Sequence, residues 1–182
     1  MLLRQTARLQ LHVLEEYDAQ RALEFYQANA EFRQPWSPTM DASFLTLDGQ
    51  RERLRSDRIS RDREQGLALW LTEIDQPELV GMVALRNIVR GAFWSCHLGY
   101  EIHNAYAKRG YISEALQAVV EYAFVDLRLH RIEANIMPRN QHSIGVVEKL
   151  GFEHEGLARK YLKINGTWED HIHYVLLNAA VE

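Results

Sequence analysis

The stretch Tyr106-Ala107-Lys108-Arg109-Gly110-Tyr111-Ile112-Ser113-Glu114-Ala115 places two cations before a glycine, and a periodic segment opens immediately behind it. Ile112, Ala115, Leu116, Val119, Val120, Ala123, Phe124 and Leu127 recur at i, i+3, i+4 and i+7, the spacing that puts apolar side chains on one face of a helix. Glycine permits a tight backbone before the helix, and the first helical turn leaves N–H groups without intrahelical partners. With the helix dipole and two cations added, the junction reads as a pyrophosphate cradle. Taken alone it reads more readily as an ordinary loop-to-helix junction, since neither a GxGxxG nor a Walker pattern is present.

Working backwards, Leu67–Ile74, Leu79–Val89 and Ala92–His103 are extended runs. They are separated by Asp75-Gln76-Pro77-Glu78 and by Gly91, which predicts an antiparallel meander. Before them, Thr6–Leu14 alternates as a half-buried strand and Glu15–Asn29 reads as a helix. Gln34-Pro35-Trp36-Ser37-Pro38 breaks regular structure. Asp41-Ala42-Ser43 offers caps for a charged helix running to about Gln65. The six arginines between Arg51 and Arg63 could suggest RNA, but Glu52, Asp57, Asp62 and Glu64 are interleaved. Pairs such as Asp57/Arg61 and Arg58/Asp62 then make this a solvated helix face. Forwards, Arg131–Ile136 is a strand and Asn140 caps a helix from Gln141 to Leu150. Glu153–Lys163 and Thr167–Leu177 are strands joined by the Asn165-Gly166 turn. The order β-α-α-β-β-β-α-β-α-β-β predicts an α/β (α+β) fold: one mixed, mostly antiparallel seven-stranded sheet with helices on both faces.

At 182 residues, 47% hydrophobic and 25% charged, the chain fits one domain over 1–182 with a real core. A net charge of −4 argues against a protein held to nucleic acid by bulk charge. Cys96, the one cysteine, has no internal disulfide partner and predicts a reducing, cytoplasmic setting. Neither a signal peptide nor a membrane span is expected. His171 and His173 alternate on the last strand without a third ligand at fitting spacing, so no metal site is predicted. Cys96 itself reads as a small buried hydrophobe.

The cradle, Arg131-Ile132-Glu133-Ala134, Pro138-Arg139-Asn140-Gln141-His142-Ser143, Leu150-Gly151-Phe152-Glu153-His154-Glu155-Gly156 and Tyr161 through His171 together resemble the GNAT acetyltransferases. More narrowly, they resemble the RimJ/RimL branch of ribosomal-protein N-terminal acetyltransferases. The likeness extends to Pro35-Trp36 and covers nearly the whole chain, most strongly from Gly99 onward. It implies a sheet with a central splay, acetyl-CoA as co-substrate, and transfer of acetyl to a primary amine. The superfamily signature Gln/Arg-x-x-Gly-x-Gly/Ala falls on Ala107-x-x-Gly110-x-Ile112, where Gly110 alone matches, and Lys108 stands where the branch often has a second glycine. In such a loop backbone N–H groups make most contacts, so side chains can vary.

The resemblance implies coenzyme contacts from Ile102, Lys108, Arg109, Gly110, Tyr111, Ile112, Ser113, Asn140 and Ser143. It makes Glu101 the first candidate for general base, acting through water, with Glu133 a weaker rival flanked by Arg131. Ser143 would donate to the departing thiolate, and Tyr161 is a second candidate acid. Trp36, between two prolines, is a candidate wall for the acceptor beside Glu101. The acceptor is expected to be the N-terminal amine of a ribosomal or other cytoplasmic protein, whose pKa of about 7.7–8.0 makes it a readier nucleophile than lysine at about 10.4. A small amine (polyamine, amino acid or antibiotic) is the alternative, and a non-catalytic acyl-CoA-binding or ribosome-associated factor the third reading. A monomer and a homodimer are both compatible with the sequence.

Overall fold

The computed structural model describes residues 1–181. Its strands are β1 (Leu2–Gln5), β2 (Leu9–His12), β3 (Leu67–Glu73), β4 (Leu79–Val89), β5 (Ser95–Ile102), β6 (Arg131–Ile136), β7 (Glu153–Ile164) and β8 (Thr167–Leu177). The helices are α1 (Ala19–Ala28), α2 (Ala30–Arg33), α3 (Leu47–Asp62), α4 (Tyr111–Glu121) and α5 (Gln141–Lys149). Among the described residues one eight-stranded sheet forms in the order β1-β2-β3-β4-β5-β6-β8-β7. The strand beyond the seven expected is β1, which hairpins onto β2 with Leu2 opposite His12. Four residues without polar alternation gave it no periodic signature.

The meander forms as expected, β3 through β5 being antiparallel neighbours. Asn165 and Gly166 take φ values of 43° and 83°, the paired left-handed geometry of a two-residue hairpin turn. The periodic segment after Gly110 is helical, and its last turn widens to π geometry over Tyr122–Asp126. One difference lies at α3. Asp41 caps only a short 3-10 turn, accepting from the Ser43 N–H at 2.8 Å. The helix proper starts at Leu47, where the Thr46 hydroxyl accepts from the Gly49 N–H at 3.1 Å. Arg58 does pair with Asp62 at 3.6 Å, but Asp57 reaches across to Arg86 rather than to Arg61. Arg61 instead meets Glu15 at 3.0 Å, so part of the charged face is turned toward the protein.

Two cores flank the sheet. On one face α4 and α5 bury Ala115, Leu116, Val119, Ile144 and Val147 against β4, β5 and β6. On the other, α1 and α3 bury Phe25, Tyr26 and Leu54 against Trp70, Met82 and Ala84. The crossover through α4 makes β5 and β6 parallel, the one parallel pair in the sheet among the described residues. Their pairing covers Ser95 with Arg131, Cys96 with Ile132 and His97 with Glu133, and then stops. Beyond it, Leu98–Ile102 stay with β4 while Ala134–Ile136 stay with β8, so the sheet opens between them.

The β5 side of this opening is held by close backbone approach. A Cβ on Gly81 would lie 2.7 Å from the Glu101 carbonyl oxygen, inside any real contact distance. Gly81→Ala therefore pushes the end of β5 away from β4. It should cost about 1–3 kcal/mol of stability and reduce activity by moving Glu101, as read by denaturant melts and turnover.

Candidate active site

The opening leads into a cleft of about 1090 Å³. The α4–α5 side contributes Lys108, Gly110, Ser113, Asn140 and Ser143, and the α1–α3 side contributes Arg33, Trp36, Arg53 and Phe44. Tyr100, Glu101 and Ile102 from β5, and Ala134–Ile136 from β6, line the gap itself.

The loop before α4 is shaped by two residues in the left-handed region, Lys108 at φ 63° and Gly110 at φ 80°. Lys108 tolerates what its position asks, although only glycine does so without strain. Arg8, one residue before β2, staples this loop from outside. Its Nη1 donates to the Arg109 carbonyl at 3.0 Å, its Nε to Glu114 Oε2 at 2.6 Å, and its backbone N–H to Glu114 Oε1 at 2.9 Å. The Thr6 hydroxyl also donates to Glu114 Oε1, at 2.6 Å. Burial works against the Glu114 carboxylate, but these hydrogen bonds and the Arg8 charge outweigh it and hold its pKa below the ordinary value.

The expected coenzyme residues divide by what their side chains do. Lys108, Gly110 and Ser113 line the cleft. Arg109 lies outside the cleft lining, its guanidinium stacked 5.0 Å from the Tyr106 ring. Tyr111 and Ile112 are buried in the core, and the Tyr111 phenol donates to Glu73. What these two offer an anion is therefore the backbone N–H of a first helical turn.

At the end of β5, Glu101 lines the cleft and is gripped by Arg33, whose Nε and Nη2 donate to its two oxygens at 3.2 and 3.4 Å. Buried Asn29 fixes the next residue: its amide donates to the Ile102 carbonyl and accepts from the Asn104 N–H, both at 2.9 Å. Across the gap, Asn140 caps α5 by accepting from the Ser143 N–H at 3.2 Å. The Tyr100 phenol donates to the Ser143 carbonyl at 3.2 Å and so bridges β5 to α5. Burial pushes that phenol up to about 12, keeping it protonated. Ser143 is thus fixed by its backbone on both sides, leaving the hydroxyl free to turn.

Tyr161 is one side chain removed from the cleft. Its ring packs 4.9 Å from His173, and its hydroxyl meets Asn135, which does line the cleft, at 3.4 Å. Glu133 is taken up by Arg131 at 2.9 Å, with His97 and His173 each at 3.5 Å; Arg131 also bonds Glu155, completing a ladder. Trp36 is 37% exposed at the cleft rather than plugged into the core. Arg139 holds it there, 4.9 Å from the ring while donating to the Pro35 carbonyl and to Glu169. Cys96 is buried, and burial pushes its thiol up to about 12, so it is no nucleophile at neutral pH. Among the described residues no group of His, Cys, Asp or Glu is placed to hold a metal, and no helix is long and apolar enough to cross a membrane.

Arg8, Asn29, Arg33 and Tyr100 had no signal in the sequence. Each acts across a separation of dozens of residues, which periodicity and local motifs do not report.

A family model described as an acetyltransferase (GNAT) domain matches residues 8–153. The chain is 38% identical over 169 residues to the [ribosomal protein uS5]-alanine N-acetyltransferase of Escherichia coli (strain K12), covering 92% of this chain and 86% of that one. The crystal structure of the ribosomal-protein-S5-alanine acetyltransferase from Vibrio fischeri superposes with a TM-score of 0.93 at 30% identity, over 98% of each chain. Mycobacterium smegmatis RimJ in complex with CoA-disulfide superposes with a TM-score of 0.89 at 25% identity, over 95% of this chain and 83% of that one.

The Glu114 staple predicts a pH dependence. A carboxyl held below its ordinary value of 4.5 stabilises the fold above that pH and loses its contribution as the pH falls through the lowered value. Glu114→Gln should lower the melting temperature by a few degrees at neutral pH. The gap from the parent should close as the pH drops below 4.5.

Proposed function

The chain belongs to the GNAT family of N-acetyltransferases, and from that premise we propose that it transfers acetyl from acetyl-CoA directly to the N-terminal α-amino group of a ribosomal or other protein. The observation that carries this reading is the parting of β5 and β6, with, on one side, a helix start that has no side-chain cap and, on the other, an ion-paired glutamate. Bound acetyl-CoA supplies the thioester whose acetyl carbon is transferred.

The N–H groups of residues 110–113 and the Lys108 ammonium hold the diphosphate, which fits a loop built on left-handed backbone at two positions. Asn140, already committed to capping α5 through its oxygen, has its NH₂ to offer the pantetheine arm. Glu101, with its carboxylate oriented by Arg33, takes the proton from the acceptor ammonium through a water. Backbone groups on the unpaired edge of β5 orient the acetyl carbonyl and stabilise its oxyanion. The Ser143 hydroxyl donates a hydrogen bond to the leaving sulfur, and the thiolate takes up the proton that the attacking nitrogen loses as the tetrahedral intermediate collapses.

The charge of the acceptor side bears on the rival reading. Arg33, Arg53 and Arg86 line it alongside Glu101, so it is not the acidic pocket that a polyamine would need. A cleft of about 1090 Å³ has room for a peptide end.

Free-thiol release from acetyl-CoA, across N-terminal peptides and small amines, tests the proposal. Release with peptides is expected, whereas release only with polyamines would overturn the acceptor. Glu101→Gln should lower turnover by about 10²–10⁴-fold below the amine pKa and by less above it, with acetyl-CoA affinity nearly unchanged. Gly110→Asp, which sets a carboxylate against the diphosphate on strained backbone, should abolish the melting shift given by acetyl-CoA.

A further inference from the structure

Among the described residues, no carboxylate pairs with Arg53 on α3. Its guanidinium carbon lies 4.9 Å from the Tyr26 ring centroid and 5.4 Å from that of Trp70. Its Nη2 reaches only the thioether of Met82, at 3.5 Å, and its Nη1 is buried with no hydrogen-bond partner. The other two arginines on this side are matched, Arg33 by Glu101 at 3.2 Å and Arg86 by Asp57 at 2.5 Å. Asp57 sits one turn from Arg53, but no ion pair joins them among the described residues, and Asp57 Oδ2 also lacks a partner. Three guanidinium groups therefore face two carboxylates, and one positive charge is left over beside the cleft.

A buried guanidinium N–H without an acceptor is costly, and ring faces with a sulfur offset only part of that cost. Arg53 nevertheless lines the cleft, so an acceptor that enters there can meet the edge of a guanidinium that the fold leaves without a carboxylate. The location says what brings it. Arg53 touches Met82, and Met82 stands opposite Glu101 in the β4–β5 register, so the unmatched cation neighbours the glutamate assigned to the amine. Glu101 and Arg53 thus offer opposite charges on the lining of one cleft, suited to a ligand with an ammonium at one end and an anion farther along.

We infer that Arg53 is the recognition point for a carboxylate carried by the acceptor close to its reactive amine. A carboxylate is the acceptor that a guanidinium edge holds best, through charge-assisted hydrogen bonds. Two sources share this chemistry: an acidic side chain within the first residues of a peptide, and the free C-terminal carboxylate of an amino acid or dipeptide. The inference rests on the acceptor lying on the α1–α3 side, as proposed above.

Binding tests it without requiring turnover. Calorimetric titration of the CoA-loaded protein compares an alanyl-glutamyl tetrapeptide amide with its alanyl-glutaminyl counterpart, and alanyl-alanine with its amide. The acidic member of at least one pair should bind roughly tenfold more tightly. Preference in the first pair identifies a side chain, and in the second a chain terminus. Arg53→Gln should bring the preferred ligand to the affinity of its neutral partner. Should that variant fail to fold, Arg53→Lys makes the same comparison, keeping the charge while losing the fork, and should shrink the preference several-fold. Equal binding within both pairs, no binding at all, or a preference that survives in the variants overturns the inference. Thiol release with no such preference would sink this inference alone, while a preference without thiol release from any amine would sink the enzymatic proposal instead.

Discussion

Two parallel strands that share only three paired positions cannot continue as a sheet, and the consequences of that parting reach every part of the molecule. Past His97 and Glu133, β5 keeps its hydrogen bonds with β4 and β6 keeps its own with β8. The facing edges are then left with backbone donors and acceptors that have no strand partner, a state tolerated where solvent or a ligand can enter. The gap is held open by specific contacts. Gly81 lets β4 approach the Glu101 carbonyl, Asn29 ties down Ile102, and Tyr100 spans to the first turn of α5.

The same parting divides the labour between the two faces. On the α4–α5 face the chain supplies the backbone N–H groups of a helix start, a lysine and a helix cap, the side proposed to hold the coenzyme. On the α1–α3 face it supplies arginines, a glutamate and aromatic rings, the side proposed to receive the acceptor. Only through the gap can groups held on opposite faces meet. Arg8 and Glu114 tie the loop before α4 to the start of β2.

Much of this was legible in the residues. The spacing from Ile112 to Leu127 marks α4, Asn165-Gly166 marks the last hairpin, and the alternation of runs marks the meander. Local signals decide local structure, and each of these is local. The strand β1 escaped because four residues carry no period, and the α3 boundary slipped because Asp41 and Thr46 are both capable caps. At the site, Glu101, Gly110, Asn140 and Ser143 line one cleft. The directions of Arg109 and Tyr161 depend instead on tertiary partners, the Tyr106 ring and the β8 histidines. The pairing of Asp57 with Arg86, which leaves Arg53 unmatched, is likewise decided between elements and not along a helix.

A crystal structure of the protein grown with coenzyme A tests the central claim most directly. The diphosphate should lie on the N–H groups of residues 110–113, with the thiol between Leu98–Ile102 and Ala134–Ile136. A coenzyme bound elsewhere, with the space between β5 and β6 closed or filled by side chains, would contradict the account.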